Sequence, residues 1–356
     1  MKKLRYIPSL DGIRAIAILL VFFSHVSYFG NIASGGLGVT IFYFLSGFII
    51  TTLMRVEYEN TGDICFKAFY IRRIYRIFPS LYIVLITVLL LIEFGIIESS
   101  HTLGGLLSSF LHYTNYFVIL GDRNLDYLLP GMEVTWSLAV EEHFYLLFPM
   151  FFLLCMKRLN NLSVIKLLIY ICIAVIFWRY YLFIQDDFYP QRIYWATFAR
   201  IDSILYGTIL ALAYNPVLDK KIDKSDAFQF VVLIAALGVI LFTLIPKSYL
   251  FREVFRYSIQ GLVLMPIFYL AISKHDWLIF KILNTWTMRW LGKISFTFYL
   301  SHSIALLLVD KYFSSSHILA VLLALVFSVI FSVLLYFLIE KRMGLLRHKL
   351  HSKSNG

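Results

Sequence analysis

Charged residues are scarce in this sequence. Asp, Glu, Lys and Arg make up 15% of 356 residues, whereas 60% are hydrophobic and the mean hydropathy is +0.79. A soluble domain of this length does not need so much apolar surface, so the composition excludes an ordinary soluble enzyme. The formal net charge of +11 does not point to a nucleic-acid partner. In a membrane protein, the distribution of basic residues first indicates which loops lie on the cytoplasmic side.

Cysteine is nearly absent as well. The three cysteines, Cys65, Cys155 and Cys172, are scattered without metal-type spacing, and two of them lie inside apolar runs. We therefore predict no disulfide and no metal site. The sequence also lacks a small-residue cleavage pattern after its first apolar segment, a clear internal repeat, and a polar region large enough to fold alone. The first segment should remain a helix, and any chemistry should take place in or at the membrane.

Apolar runs of about 20 residues recur along the chain, and a helix of that length, rising about 1.5 Å per residue, crosses a bilayer. They predict an all-α integral membrane protein, a bundle of about ten transmembrane helices. The predicted spans are Leu10–Phe29, Leu37–Met54, Pro79–Ile97, Trp136–Cys155, Val164–Ile184, Tyr194–Tyr214, Ala227–Ile245, Val254–Ser273, Trp290–Val309 and Ile318–Ile339.

Two boundaries in this scheme rest on specific arguments. Pro79 is placed at the start of the third span, because the first helical turn tolerates proline. The mildly apolar stretch Leu103–Leu120 is interpreted as a re-entrant or interfacial element, because counting it as a span would invert every later loop.

Basic residues predict the orientation. Lys2, Lys3 and Arg5 precede the first span, and later basic loops fall on the same side as this N-terminus. By the positive-inside rule, both termini should be cytoplasmic. Residues 1–345 should form a single transmembrane domain, and residues 346–356 a basic cytoplasmic tail.

The first span carries three ionisable residues, Asp11, Arg14 and His25, at a spacing that places them on one helix face. Ionisable groups within a span are costly and by default mark a site. Arg14 and His25 are about 16 Å apart along the axis, so this face suits an anion toward the cytoplasm and proton chemistry toward the outer side. The alternatives are that Asp11 and Arg14 snorkel to the interface, and that His25 only bonds a neighbouring helix.

A second basic feature is the pair Arg73 and Arg76 in the sequence RRIYRIFP. Their spacing places both on one helix face at the predicted cytoplasmic side, where planar guanidinium groups suit phosphate oxygens. The alternative is that they anchor the topology by attraction to anionic lipid.

The sequence GMEVTWSLAVEEHFYLLFP contains Trp136 and Tyr145, which fit an interfacial aromatic belt, and a carboxylate, Glu141, inside the fourth span. A carboxylate at that depth needs a partner, and Glu141 is predicted to orient His25 or stabilise its charged form. The alternative is an interfacial carboxylate solvated by headgroup water, which applies mostly to Glu142.

Four further polar residues occur in later spans. Arg200 and Asp202 lie in ARIDSILYG, where a structural ion pair within the bundle is the alternative to a substrate contact. His302 lies in mid-helix and either forms part of the site or only forms a hydrogen bond to a neighbouring helix. Glu340, where the last helix meets the cytoplasm, either forms a hydrogen bond to a neighbouring helix or, as we expect, serves as an anchor.

The segments SLDGIRAIAILLVFFSH, RIYR, WSLAVEEHFYLLFP, ARIDSILYG, ISFTFYLSH and LIEK follow one another along nearly the whole chain. Together they resemble the family-3 membrane acyltransferases of bacteria, ten-helix proteins that add acetyl or other acyl groups to surface polysaccharides, lipopolysaccharide and related acceptors. The resemblance implies that Arg14 and His25, eleven positions apart, are essential groups. It also implies that Arg73 and Arg76 are associated with the acyl-CoA side.

We therefore expect an O-acyltransferase of the bacterial cytoplasmic (inner) membrane. It would move an acetyl or other short acyl group from cytoplasmic acyl-CoA to a hydroxyl of an envelope glycan or lipid-linked sugar. Arg73 and Arg76 would hold the CoA phosphates, Arg14 would assist along the acyl path, and His25 would be the general base or become acylated itself. The remaining substrate or structural candidates are Asp11, Trp136, Tyr145, Arg200, Asp202 and His302.

A secondary transporter that exports an acylated glycan or organic anion is the alternative, because buried Arg, His and Glu also serve proton relays. Transporters commonly show paired broken helices in inverted repeats, which the sequence does not display. A non-catalytic membrane sensor is the third possibility. The expected partners are acyl-CoA, a glycan acceptor and membrane lipid, without nucleic acid; the oligomeric state stays open.

Overall fold

The computed structural model of the chain consists of helices joined by short connections, with no β-strand in the ranges that it describes. It describes residues 6–26, 34–121, 123–185, 189–220, 222, 224–245, 248–313 and 317–345.

Fourteen α-helices occur in these ranges. They are α1 Pro8–His25, α2 Gly35–Thr61, α3 Phe66–Glu93, α4 Leu103–Phe110, α5 Thr114–Leu120, α6 Thr135–Arg158, α7 Asn161–Phe183, α8 Pro190–Trp195, α9 Thr197–Ala213, α10 Asp226–Leu244, α11 Arg256–Ser273, α12 Leu278–Lys281, α13 Trp286–Tyr312 and α14 His317–Leu335. A π-helical turn, Phe251–Phe255, precedes α11, and another, Tyr336–Glu340, follows α14.

Ten helical segments in the described part of the chain are long and apolar enough to cross a membrane. This number confirms the prediction of an all-α membrane protein with about ten spans. The segment of α4 and α5 is not one of the ten, as predicted. The cytoplasmic placement of both termini remains a prediction, and the predicted tail, residues 346–356, lies outside the described residues.

The prediction for the third span is wrong at its start. The second span was predicted to end at Met54 and the third to begin at Pro79, but α2 continues to Thr61 and α3 begins at Phe66, so that Pro79 lies inside α3. Helix α2 carries Arg55 because its guanidinium is paired, with Glu59 at 2.8 Å and Asp219 at 2.6 Å. Spanning helices tolerate an internal proline where neighbouring groups satisfy the backbone.

The stretch Leu103–Leu120 forms two short helices rather than one span. Thr102 caps α4 by accepting a hydrogen bond from the backbone N–H of Gly105, and the chain breaks between α4 and α5 at His112, whose φ is 58°. The His112 ring stacks near Phe78 of α3, with centroids 5.0 Å apart. The left-handed residue and the capped start explain why this apolar stretch turns instead of crossing.

The chain divides into two compact units, described separately below. Unit A comprises Met1–Leu20, Ser34–Ile64 and Val140–Gly292, and unit B comprises Val21–Ala33, Cys65–Ala139 and Lys293–Gly356. Helices α1, α6 and α13 contribute residues to both.

The core of unit A is built on the packing of α2 against α9. A Cβ atom on Gly207 would lie 1.9 Å from the carbonyl oxygen of Phe44, so only glycine permits this approach. Across the same contact, Thr51 donates a hydrogen bond to Thr208 at 3.1 Å. Small residues and hydroxyl pairs of this kind hold spanning helices together where lipid removes the hydrophobic driving force.

Candidate active site

A histidine pair lies in unit B. His25 is the last residue of α1, and His302 lies in the middle of α13. Their ring centroids are 5.0 Å apart, and Nε2 of His302 lies 3.4 Å from Nδ1 of His25. His302 is fully buried and its ring stacks parallel to that of Phe298, whereas the side chain of His25 is exposed. Unit B thus brings together two residues that the sequence singled out separately.

Hydrogen bonds to backbone carbonyls fix the tautomer of each ring. Nδ1 of His302 lies 2.7 Å from the carbonyl oxygen of Tyr299, and Nδ1 of His25 lies 2.9 Å from that of Val21. A carbonyl oxygen only accepts, so both Nδ1 atoms carry hydrogen when the rings are neutral. The Nδ1–H of His25 is then shared between the carbonyl of Val21, at 2.9 Å, and the lone pair of His302 Nε2, at 3.4 Å, and His25 keeps its own lone pair on Nε2.

A carboxylate that the sequence argument missed lies near this pair. The half-buried Glu133 precedes α6 and interacts electrostatically with His25. Burial raises the pKa of Glu133, while its own backbone N–H and the positive charge of His25 lower it. Glu133 is thus a counter-charge for a protonated His25. The one feature of the sequence that could have pointed to Glu133 is its position in the GMEVTW segment.

The position of Glu133 follows from packing on α13. Gly131 has φ of 73°, and a Cβ atom there would lie 3.0 Å from the backbone nitrogen of Ile304. The hydroxyl of Tyr299 donates to the carbonyl oxygen of Val134 at 3.0 Å. These contacts hold the segment that leads into α6 against the helix that carries His302.

Glu141 and Tyr145 form a separate polar group in unit A. The carboxylate of Glu141 accepts hydrogen bonds from the hydroxyls of Ser46 and Tyr145, each at 3.0 Å. A carboxylate at this depth therefore has hydroxyl partners, as predicted in general terms. Its specific role in orienting His25 remains a prediction.

The aromatic-belt interpretation of Trp136 and Tyr145 is wrong. Each side chain is 5% exposed, whereas a belt residue would present its ring to lipid headgroups. Tyr145 is drawn inward because its hydroxyl has buried partners on α2 and α6.

Asp11 and Arg14 pair with each other in unit A. Nη1 of Arg14 lies 2.8 Å from Oδ1 of Asp11, and the hydroxyl of Tyr6 donates to Oδ2 of the same carboxylate at 2.7 Å. Burial, then the hydrogen bond to Asp11, raises the pKa of Tyr6 to about 12. Arg14 is thus fixed on the face of α1 that carries His25, about 16 Å away along the helix axis.

Asp202 belongs to a buried ion pair, the alternative that the sequence left open. Its partner is Arg179, at 2.7 Å, and neither side chain is exposed. Arg200 does not join this pair: its guanidinium bonds the hydroxyl of Thr40 at 3.0 Å and lies 3.9 Å from the centroid of the Tyr257 ring. Both residues are part of the core of unit A.

The two arginines of the basic pair differ in exposure. Both lie on α3, but Arg73 is buried with its guanidinium over the Phe69 ring, whereas Arg76 is exposed. Arg76 also interacts electrostatically with Glu340. Only Arg76 presents its side chain openly to an incoming anion.

Glu340 contacts neighbouring helices, the alternative to an anchor that the sequence left open. It lies in the π-helical turn after α14, half-buried, where its carboxylate accepts hydrogen bonds from Thr297 and Ser80. The carboxylate is therefore a contact among α3, α13 and the last helix of unit B.

A protein-family model described as "Acyltransferase domain" matches residues 7–337. The chain belongs to this acyltransferase family. It is 30% identical over 315 residues to the peptidoglycan O-acetyltransferase OatA of Listeria monocytogenes serovar 1/2a, covering 84% of this chain and 49% of that protein. It is also 30% identical over 338 residues to a putative O-acetyltransferase of Staphylococcus aureus strain COL, covering 89% and 53% of the two chains.

A third relative is the putative peptidoglycan O-acetyltransferase YrhL of Bacillus subtilis strain 168, 30% identical over 316 residues, or 84% of this chain and 48% of that protein. The chain therefore spans about half the length of these curated relatives. No solved structure matches it significantly. Membership of the acyltransferase family confirms the resemblance seen in the sequence and favours an enzyme over a transporter or sensor.

Proposed function

We propose that the chain is an O-acyltransferase of the bacterial cytoplasmic membrane. It transfers an acetyl group, or another short acyl group, from cytoplasmic acyl-CoA to a hydroxyl of a cell-envelope glycan. The names of the relatives make peptidoglycan the first acceptor to test, before lipopolysaccharide or another polysaccharide. The observation that carries the proposal is the exposed His25, whose Nε2 is left basic while His302 and Glu133 support the other side of the ring.

In direct transfer, Nε2 of His25 takes the proton of the acceptor hydroxyl while the hydroxyl oxygen attacks the carbonyl carbon of the thioester. The carbon–sulfur bond breaks, and the CoA thiolate takes the proton back from the imidazolium. The carbonyl of Val21 and Nε2 of His302 together accept from the Nδ1–H of His25, and the carboxylate of Glu133 stabilises the imidazolium that forms.

In a relay, Nε2 of His25 attacks the carbonyl carbon of the thioester, the carbon–sulfur bond breaks, and CoA leaves as a thiolate while an acyl-imidazolium forms. The acceptor hydroxyl then attacks the acyl carbon, the carbon–nitrogen bond breaks, and the freed Nε2 takes the hydroxyl proton and passes it to the CoA thiolate. Both routes need the lone pair on Nε2. The tautomer argument therefore supports His25 in either route.

On the donor side, the exposed Arg76 would hold a CoA phosphate, and Arg73 would help to position it. Arg14 would guide the thioester along α1 toward His25. The distance of about 16 Å between Arg14 and His25 is one that an extended pantetheine arm can cover beside a helix.

The test uses purified protein in lipid nanodiscs with labelled acetyl-CoA and peptidoglycan fragments. We expect thiol release together with O-acetyl groups on the glycan, detected by NMR. His25→Ala should abolish transfer, whereas the matched control His275→Ala, which removes an exposed imidazole elsewhere, should not. Undiminished transfer by His25→Ala would remove His25 from the chemistry, and absence of thiol release by the wild type would reject acyl-CoA as the donor.

A further inference from the structure

Unit B contains a cavity of about 470 Å³ between α3, α13 and α14. Its wall is mainly apolar and includes Leu91, Ile304, Leu308, Phe327 and Phe331. The volume lies within the range of about 300–1,000 Å³ that is usual for small-molecule sites. These three helices are among the ten that are long and apolar enough to span a membrane, so the surroundings of the cavity are hydrocarbon.

The hydroxyls in the wall have little to offer a polar ligand. Thr87, Ser301 and Ser328 each donate a hydrogen bond to a carbonyl of their own helix, at 2.8, 3.4 and 2.8 Å, and Tyr312 donates to the carbonyl of Ile96 at 2.7 Å. A polar ligand group buried here would lose its water without gaining a donor from these four hydroxyls. The wall therefore fits an alkyl or isoprenoid chain.

One end of the cavity lies at the level of His302 along α13. Ser301, Ile304, Ala305 and Leu308 line it from one face of α13, and His302 is the next residue after the first of them. Ile304 also packs against Gly131, two residues before Glu133. A chain lying in the cavity would thus have one end level with His302 along the helix axis.

The acyl donor does not account for the cavity. The pantetheine arm could reach the wall at Thr87 from Arg76, about 16 Å away on α3, but it carries amide groups that this apolar wall does not satisfy. A short acyl group would not fill the volume. The remaining participant in the reaction is the acceptor.

We propose that this cavity holds the hydrocarbon chain of a lipid-linked acceptor and so places a sugar hydroxyl at His25. The inference rests on the proposed function and narrows its acceptor to a glycan still attached to its membrane lipid. Because lipid tails are as apolar as the wall, shape and packing select the chain, and the sugar is then held close to the base.

The first test is photolabelling, which needs no turnover. The probe is hexadecyl β-N-acetylglucosaminide with a diazirine at the end of the chain, in nanodiscs of phosphatidylglycerol and phosphatidylethanolamine. We expect labels on the α13 and α14 residues that line the cavity, removed by excess unlabelled hexadecyl glycoside but not by added phosphatidylglycerol. Equal competition by the phospholipid would show a structural lipid only, and labels spread over other lipid-facing helices would show no site; either result overturns the proposal.

Variants sharpen this test. Ala305→Trp fills the cavity, whereas Leu322→Trp adds the same side chain at an exposed position of α14 and serves as the control. We expect the labelling of the cavity to fall about tenfold or more in Ala305→Trp and to persist in Leu322→Trp, in line with the sensitivity of apolar pockets to shape. Unchanged labelling in Ala305→Trp overturns the proposal. Thiol release from acetyl-CoA by the wild type, measured in parallel, tests the proposed function independently of the labelling.

Discussion

Nε2 of the buried His302 lies 3.4 Å from Nδ1 of the exposed His25, and the two residues are separated by 277 positions in the sequence. The carbonyl of Tyr299 fixes the proton of His302 on Nδ1, so the atom that faces His25 is an acceptor. This relationship makes His302 a positioning residue for His25, because it favours the tautomer whose basic nitrogen points away from the pair.

The first prediction separates the two nitrogens of His302. His302→Gln retains an amide near the position of Nε2, whereas His302→Asn retains one only near Nδ1. We expect His302→Asn to lower kcat roughly 100-fold, at the lower end of a general-base contribution, with KM for acetyl-CoA nearly unchanged. His302→Gln should recover part of this loss. Equal, wild-type kcat values in both variants would show that His302 only fills space.

The second prediction concerns Glu133, which faces His25 of α1 and lies near the α13 helix that carries His302. Glu133→Gln should lower kcat/KM at neutral pH, because a neutral amide stabilises the imidazolium that forms during transfer less than a carboxylate does. As the pH falls through the raised pKa of Glu133, wild type and variant should become more alike, since the carboxyl group is then neutral in both.

The control for this pH profile is Asp126→Asn, which removes an exposed carboxylate from the same connection before α6. Its profile should overlay that of the wild type. A Glu133→Gln profile that also overlays that of the wild type would show that Glu133 does not support His25 in the reaction.

Much of the fold was predictable because run length alone decides whether a helix can cross a membrane, and the ten apolar runs met that criterion. Helix ends were less predictable. Arg55 looked like a loop residue, but Asp219, distant in sequence, pairs with it and allows α2 to continue. Glu59, one turn further along the same helix, is a partner that the sequence displays, but Asp219, 164 positions away, is not.

Single residues of the site could be predicted from the sequence, but the way in which they are grouped in space could not. Asp11, Arg14 and His25 share a face because of the helical period, which a sequence displays directly. Glu133 could not be found in this way, because its burial depends on the left-handed Gly131 and on packing against Ile304. The sequence argument chose Glu141, which lies deeper in a span, but hydroxyls from α2 and α6 engage that carboxylate.

The third prediction distinguishes the two arginines of α3. Arg76→Ala should raise the KM for acyl-CoA about tenfold, and Arg76→Lys should restore little, because a point charge cannot reproduce a bidentate guanidinium contact. The control Lys67→Ala removes another exposed cation from the same helix and should leave this KM nearly unchanged. Equal effects of Arg76→Ala and Lys67→Ala on this KM would show that Arg76 attracts anions only by its charge and forms no specific contact with acyl-CoA.

The fourth prediction concerns stability. Asp202→Ala leaves Arg179 charged and unpaired in a fully buried position, and should destabilise the protein by about 3–5 kcal/mol. The double variant Arg179→Met with Asp202→Leu removes both charges at similar volume and should recover most of the loss. Thermal unfolding in detergent measures both effects. A double variant as unstable as Asp202→Ala would show that hydrogen bonding to Ser258 matters more than charge balance.

The last prediction is that donor and acceptor reach the enzyme from opposite sides of the membrane. Arg14 lies in the second turn of α1 and Arg76 in the third turn of α3, whereas His25 ends α1. With the predicted cytoplasmic N-terminus, both arginines are near the inner side and His25 is near the outer side. Acyl-CoA is highly charged and does not cross lipid, so its thioester must travel along the protein while its phosphates remain at the arginines.

Sealed vesicles of known orientation test this arrangement, with acetyl-CoA and acceptor supplied on chosen faces. We expect transfer only when acetyl-CoA is on the cytoplasmic face and the acceptor on the opposite face. Detergent permeabilisation should remove the requirement, which controls for inactive protein in the non-transferring arrangements. Efficient transfer with both substrates on the cytoplasmic face would contradict the prediction, and would place the chemistry at the inner side, nearer to Arg14 than to His25.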